Sequence, residues 1–203
     1  MKKVKIIGIT GLAGSGKSSI VNYLKNKFKD KIFVIDMDKI GHIILDLPEI
    51  QQKLIQIFSD KIVKNNKIDR KILGNIVFSN KSELEKLNKI VHPAMKDYIK
   101  NLIKNNMKFY DIILIDGALL FSLQINEYCD YTIFIDADKE ILLNRLINFR
   151  KVDKVKAENI LKNQAHLLKY RKNASFIIEN NNNLAEAFRN INKFFVDFIT
   201  KNN

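Results

Sequence analysis

Apolar residues along this chain fall into two alternating patterns, and the alternation predicts the architecture. Short runs that are apolar at nearly every position recur at Val4–Ile9, Ile32–Asp36, Asp111–Gly117, Tyr131–Ala137 and Ser175–Asn180. Runs of this length without a polar face read as strands buried on both sides, as in a parallel sheet covered by helices. Elsewhere apolar positions recur every three or four residues. Ile20, Val21, Leu24 and Phe28 mark one face of a helix over Ser18–Phe28. The same spacing predicts helices over Asp138–Phe149, Lys154–Lys172 and Leu184–Thr200, the last preceded by a polar loop at Asn180–Asn183.

Lys39–Lys108 reads as almost pure helix. Pro48 opens one helix, Asn65-Asn66-Lys67 turns the chain, and Asp69 caps the next helix. Ser82 with Glu85 forms a capping box for a long helix that His92-Pro93 interrupts or kinks. Five buried strands alternating with helices predict an α/β three-layer fold on a five-stranded parallel sheet, one domain over residues 1–203. The stretch 39–108 is then a helical insert on the substrate side of the domain.

Four of the seven glycines lie in one stretch, Gly8–Ser19, which reads GITGLAGSGKSS. A loop that only turned a corner would need one or two. Gly11 to Ser18 matches G-x-x-x-x-G-K-[S/T] without a gap, between the first predicted strand and the first predicted helix. Without a Cβ, Gly11, Gly14 and Gly16 let successive N–H groups curl round an anion, and the helix N-terminus adds its positive end. In such a phosphate-binding loop (P-loop) Lys17 reaches the β- and γ-phosphates of ATP and the Ser18 hydroxyl ligates Mg²⁺. Asp116 ends the third strand, where a P-loop fold places the acid that holds the Mg²⁺ water shell. Asp36 ends the second strand, and strand carboxyl ends open onto the ligand crevice of a parallel sheet. A carboxylate at Asp36 can accept the proton of an attacking hydroxyl, whereas Asp38 reads as a cap for the helix that follows.

Arg145 and Arg150, followed by Lys151, Lys154 and Lys156, form the densest basic stretch with two of the five arginines. A planar guanidinium suits polyphosphate, so residues 145–165 read as a basic lid. A guanine-recognition N-K-x-D is lacking late in the sheet. The nearest string, Asn80–Glu83, has no Asp in place and precedes the third strand. The chain is also short for a large ATPase motor. A small-molecule kinase, another nucleoside or nucleotide kinase of the same fold, and a non-catalytic nucleotide-binding regulator remain open on these residues.

Composition narrows the setting. The net charge of +13 invites a nucleic-acid partner, but the lysines are scattered over helix faces and form no stripe with interleaved aromatics. No stable nucleic-acid partner is expected. No apolar run approaches the ~20 residues that span a bilayer. The basic start MKKVKIIGIT is broken by Lys5 and by glycines, so no secretory leader and no membrane attachment are expected. Cys129 is the only cysteine, which excludes an internal disulfide and a multi-cysteine zinc site, points to the cytoplasm, and leaves the thiol a packing role.

Several stretches together resemble the dephospho-CoA kinase family. They are GITGLAGSGKSS, VIDMDKIGH (Val34–His42), IDRKILGNIVF (Ile68–Phe78), LNKIVHPAM (Leu87–Met95), LLF (Leu119–Phe121), the spacing of Arg145 and Arg150, Gln164, and NASFIIEN (Asn173–Asn180). The resemblance runs from Val4 to about Asn180 in family order. It implies transfer of the ATP γ-phosphate to the 3′-hydroxyl of dephospho-CoA, the last step of coenzyme A synthesis. It further implies that Gly14 to Ser19 (Gly14, Ser15, Gly16, Lys17, Ser18 and Ser19) bind the ATP phosphates. Asp36 is the implied base, the helical insert cradles the pantetheine end, and Arg145 and Arg150 belong to the lid. The chain departs from the family pattern after strand three, where Ala118 and Ser122 replace a proline and a glutamate. Ser175 replaces an aspartate before strand five, and a glutamine expected just before the first lid arginine is missing.

Overall fold

In a computed structural model that describes residues 4–200, the chain divides into two compact units, Met1–Ile35 with Asn105–Asn203, and Asp36–Lys104. The first elements are β1 (Lys5–Gly11), α1 (Lys17–Phe28) and β2 (Ile32–Asp36). The second unit carries α2 (Met37–Leu45), α3 (Pro48–Phe58), β3 (Val63–Lys64), β4 (Lys67–Ile68), α4 (Arg70–Phe78) and most of α5 (Lys81–Asn106). The chain then returns with β5 (Ile112–Asp116), β6 (Tyr131–Asp136), α6 (Lys139–Asn144), α7 (Lys154–Gln164), β7 (Phe176–Glu179) and α8 (Leu184–Phe194).

All five expected strands enter one sheet, in the order β2-β5-β1-β6-β7. β1 pairs in parallel with β5 and β6, and β6 with β7. The register sets Ile9 beside Asp116 and Asp136 beside Glu179, so acids and the start of the glycine loop share the carboxyl edge. Both faces are covered, which is why the strands show no polar alternation. On one face Ile7, Ile9, Ile133 and Ile135 pack with Ile20 and Leu24 of α1 and with Ile191 and Phe194 of α8. On the other, Phe134 packs with Leu12, Leu142, Leu146, Ala157 and Leu161, from the glycine loop, α6 and its extension, and α7. Each such buried Ile, Leu or Phe side chain contributes about 1.5–3 kcal/mol relative to exposure. Cys129 packs as expected: its Sγ lies 3.5 Å from the Ile125 carbonyl, and burial, with Asp130 adding to it, pushes the thiol up to about 12. Among the described residues no helix is long and apolar enough to cross a membrane.

The insert departs from the almost pure helix expected at its turn, where a short hairpin forms. Val63–Lys64 and Lys67–Ile68 pair antiparallel around Asn65-Asn66, both at positive φ (52° and 59°). That is the backbone of a two-residue hairpin turn, which asparagine tolerates. Pro48 opens α3, and Asp69 caps α4 by accepting from the N–H groups of Lys71 and Ile72, both as expected. The capping box does not form: Asn80 caps α5 through its Oδ1 from the Ser82 N–H at 2.9 Å, leaving Ser82 inside the first turn. Asparagine competes on equal terms with serine at that position. Helix α5 runs through Pro93 without ending, at the cost of one backbone hydrogen bond.

Three further helices end differently from the periodic reading, α8 among them, which stops at Phe194 and widens over Phe195–Thr200 instead of running as α-helix to Thr200. After α6 the chain widens over Arg145–Phe149 into a turn whose Arg150 N–H reaches back five residues to the Arg145 carbonyl. After α7 it tightens over Ala165–Asn173 instead of continuing as α-helix to Lys172.

Candidate active site

The loop after β1 is shaped by its own backbone before any ligand is considered. The Ser15 N–H donates to the Leu12 carbonyl at 3.1 Å, closing a tight turn. Gly16 occupies the N-cap of α1, so no side chain caps that helix, and its first turn holds no acid. The positive end of α1 is therefore not neutralised by its own sequence, an arrangement that favours an anion. Gly14 and Gly16 adopt φ of +85° and +94°. A Cβ at Gly14 would sit 2.9 Å from the Leu142 carbonyl oxygen, and one at Gly16 would sit 2.3 Å from Asn180 Nδ2. Both positions are closed to any side chain by conformation and by space. Gly8 has a different cause: a Cβ there would meet Leu120 at 2.6 Å, so this glycine serves sheet packing. Ser15 is buried and its Oγ has no hydrogen-bond partner, which leaves its part in the loop to the main chain.

Lys17 and Asp116, read separately from the sequence, form one ion pair, Nζ to Oδ1 at 2.6 Å. Their side chains are 15% and 13% exposed, so each charge needs the other. The pair lies where β5 ends beside β1 and fixes the lysine stem along the glycine loop. Ser18, in the first turn of α1, is exposed, and Ser19 is half-buried beside it. Among the described residues no group of three His, Cys, Asp or Glu side chains could hold a metal by itself. A hard dication that takes most of its oxygens from phosphates and water needs only one or two protein ligands, and Ser18 with Asp116 fits that requirement.

The basic stretch meets the loop through Arg145, whose Nη1 lies 3.4 Å from the Gly14 carbonyl oxygen. Burial lowers this guanidinium's pKa from its usual value. Arg150 is exposed at the end of the widened turn. The Arg171 guanidinium instead ties Asp136 (2.6 Å) to Glu179 (3.1 Å) at the ends of β6 and β7.

Asp36 is the last residue of β2 and the N-cap of α2: Oδ1 accepts from the Lys39 N–H at 3.0 Å, and Oδ2 lies 3.4 Å from the exposed Lys39 ammonium. This corrects the reading of Asp38 as the cap. Asp38 is already helical, in the first turn of α2, where an acid complements the helix dipole.

Two residues that sequence reasoning assigned no role also touch the loop. Gln164, the last residue of α7, accepts the Ala13 N–H on its Oε1 at 2.7 Å. Asn180 is 1% exposed and donates from Nδ2 to the Ser15 carbonyl at 2.8 Å. Asn180 had a legible signal, a polar residue just past an apolar strand, the same one that marks Asp36 and Asp116. Gln164 had none in spacing or composition and is marked only by its place among the residues that carry the family resemblance.

The family model described as dephospho-CoA kinase matches residues 5–186. A dephospho-CoA kinase of Fusobacterium nucleatum subsp. nucleatum is 40% identical over 193 residues, 94% of this chain and 97% of the relative. The solved dephospho-CoA kinase from Campylobacter jejuni superposes with a TM-score of 0.70 at 29% identity, covering 98% of each chain. TT1252 from Thermus thermophilus shares the fold, with a TM-score of 0.80 at 23% identity over 97% of this chain and 99% of that one.

Proposed function

The chain belongs to the dephospho-CoA kinase family, and from that premise we propose how its residues transfer the γ-phosphate of ATP to the 3′-hydroxyl of dephospho-CoA, giving coenzyme A and ADP. The observation that carries the reading is the Lys17–Asp116 pair at the sheet's carboxyl edge, beside a helix N-terminus with no cap of its own. The N–H groups of Gly14, Gly16, Lys17 and Ser18 receive the β- and γ-phosphates, while those of Ala13, Ser15 and Ser19 are held by Gln164, Leu12 and Gly16 and keep the loop and the first turn of α1 in shape. Lys17 lends its charge to the oxygens between which the phosphoryl group moves. When bound, Mg²⁺ supplies charge neutralisation on the phosphate oxygens, and Ser18 and Asp116 are the residues that would hold it.

Asp36 accepts the proton of the 3′-hydroxyl as the oxygen–phosphorus bond forms and the bond to the β-phosphate oxygen breaks. Its Oδ1 is engaged by the cap, which orients the carboxylate, and Oδ2, 3.4 Å from the exposed Lys39 ammonium, is the oxygen that takes the hydroxyl proton. The helical insert 39–108 takes the acceptor, residues 145–165 act as the lid, and the reaction belongs to the cytoplasm, with no nucleic acid or membrane involved.

Arg145 and Arg150 spread positive charge over the transferring group from the lid. Alanine at either position is expected to lower turnover by ~10²–10³, as removal of charge-clamping groups does. Lys193→Ala, on the exposed side of α8, is the control and should leave turnover unchanged. Steady-state assays of the three variants check this. Equal, small effects would reduce the basic stretch to a solvated face.

A further inference from the structure

We propose that Asn180 is a positioning residue that aims the Gly16 N–H at the nucleotide phosphates by holding the preceding carbonyl. The inference rests on the reading of the glycine loop as the ATP site. Asn180 Nδ2 donates to the Ser15 carbonyl at 2.8 Å, and Asn180 is itself fixed to the sheet through its N–H on the Asp136 carbonyl at 2.8 Å. The Ser15 carbonyl and the Gly16 N–H belong to one peptide unit, which is planar and trans, so they point in opposite directions. A donor that holds the carbonyl on the β7 side turns the N–H away from it, toward the concave side of the loop.

Glycine makes the anchor necessary. Residues with φ of +85° at Gly14 and +94° at Gly16 can form the loop, but the same freedom lets the intervening peptides rotate. Asn180 removes that freedom from outside the loop. The fit is close, since any side chain at Gly16 would fall 2.3 Å from Nδ2. The amide orientation is forced as well, because turning it over would set two oxygens against each other. The arrangement leaves the buried Asn180 Oδ1 without a partner. An apolar residue would avoid that cost, so the donor is what the position requires.

Asn180→Asp and Asn180→Ser both lose the amide donor, and the first keeps the shape. In either variant the dissociation constant for ADP, read by calorimetry, is expected to rise about tenfold or more. KM for ATP should rise with it, while KM for dephospho-CoA stays within about twofold. A purely structural role would lower the melting temperature and the active fraction and leave both KM values unchanged, and that result overturns the proposal. A second readout needs no variant: adding ADP to the ¹⁵N-labelled wild-type protein should move the Gly16 amide proton downfield, as a new bond to phosphate requires. An unmoved Gly16 amide in protein that binds ADP contradicts the proposal alone. Wild-type protein that does not bind ADP overturns the reading of the site together with it.

Discussion

Lys17→Ala is expected to abolish phosphoryl transfer, with turnover reduced by ~10³ or more and the fold retained. Lys17 brings a cation to the β- and γ-phosphates, and nothing else in the loop between Gly11 and Ser18 carries charge. The loss is compounded by Asp116. With Lys17 gone, a carboxylate only 13% exposed loses the cation it pairs with, beside the place where a polyanion must bind. Removing one member of a largely buried ion pair is costly, so some loss of stability should accompany the loss of rate. Lys17 belongs to neither of the described core clusters that join the sheet to α1, α8, α6 and α7, so their packing does not rest on it. Circular dichroism should therefore match wild type while a coupled ADP assay falls to background. Retention of a tenth of wild-type turnover would contradict the role given to the loop.

Asp36→Asn carries the second large effect, a fall in kcat of ~10²–10⁴ with ATP affinity near normal. Asparagine keeps the size, and its side-chain oxygen can still accept the Lys39 N–H that Asp36 caps at 3.0 Å. Helix α2 is thus preserved, and what disappears is a charged acceptor for the hydroxyl proton. Asp38→Asn is the comparison, because Asp38 lies in the first turn of the same helix and bears the same charge. Its loss should cost at most ~1 kcal/mol of stability through the helix dipole and little in rate. Parallel measurement of kcat and of both KM values separates the cases. A crippled Asp38→Asn beside a mild Asp36→Asn assigns the base to the other carboxylate. Two mild variants would remove the acceptor from the end of β2.

The parts of this architecture that the sequence made legible are those set by repetition or by strict local chemistry. Five uninterrupted apolar runs mark strands buried on both faces, and the helices on both sides of the sheet are why no alternation survives. The glycine loop was legible because three of its glycines meet a conformational demand that few residues satisfy. Gly8 was grouped with them although its cause is Leu120, which packs against it across 112 positions of sequence separation. What escaped depends on contacts or on elements too short to have a period. A hairpin with two-residue strands, Val63–Lys64 and Lys67–Ile68, has no room for alternation, and only its Asn65-Asn66 turn was readable. Asn80 and Ser82 are both good caps two residues apart, and local preference could not choose between them. The widened turn at Arg145–Phe149 leaves no mark on the helical spacing of Leu142 and Leu146. Gln164 reaches Ala13 over 151 residues, a contact made only once the sheet and α7 have assembled.

The most direct test compares ADP release with dephospho-CoA and with its 3′-deoxy analogue, which lacks only the reacting hydroxyl. Purified protein with ATP and Mg²⁺ should release ADP in proportion to added dephospho-CoA and convert that acceptor to coenzyme A. The 3′-deoxy compound should support no release above the acceptor-free background and should inhibit the reaction by occupying the acceptor site. Equal ADP release with both compounds, or none with either, would contradict transfer to the 3′-hydroxyl.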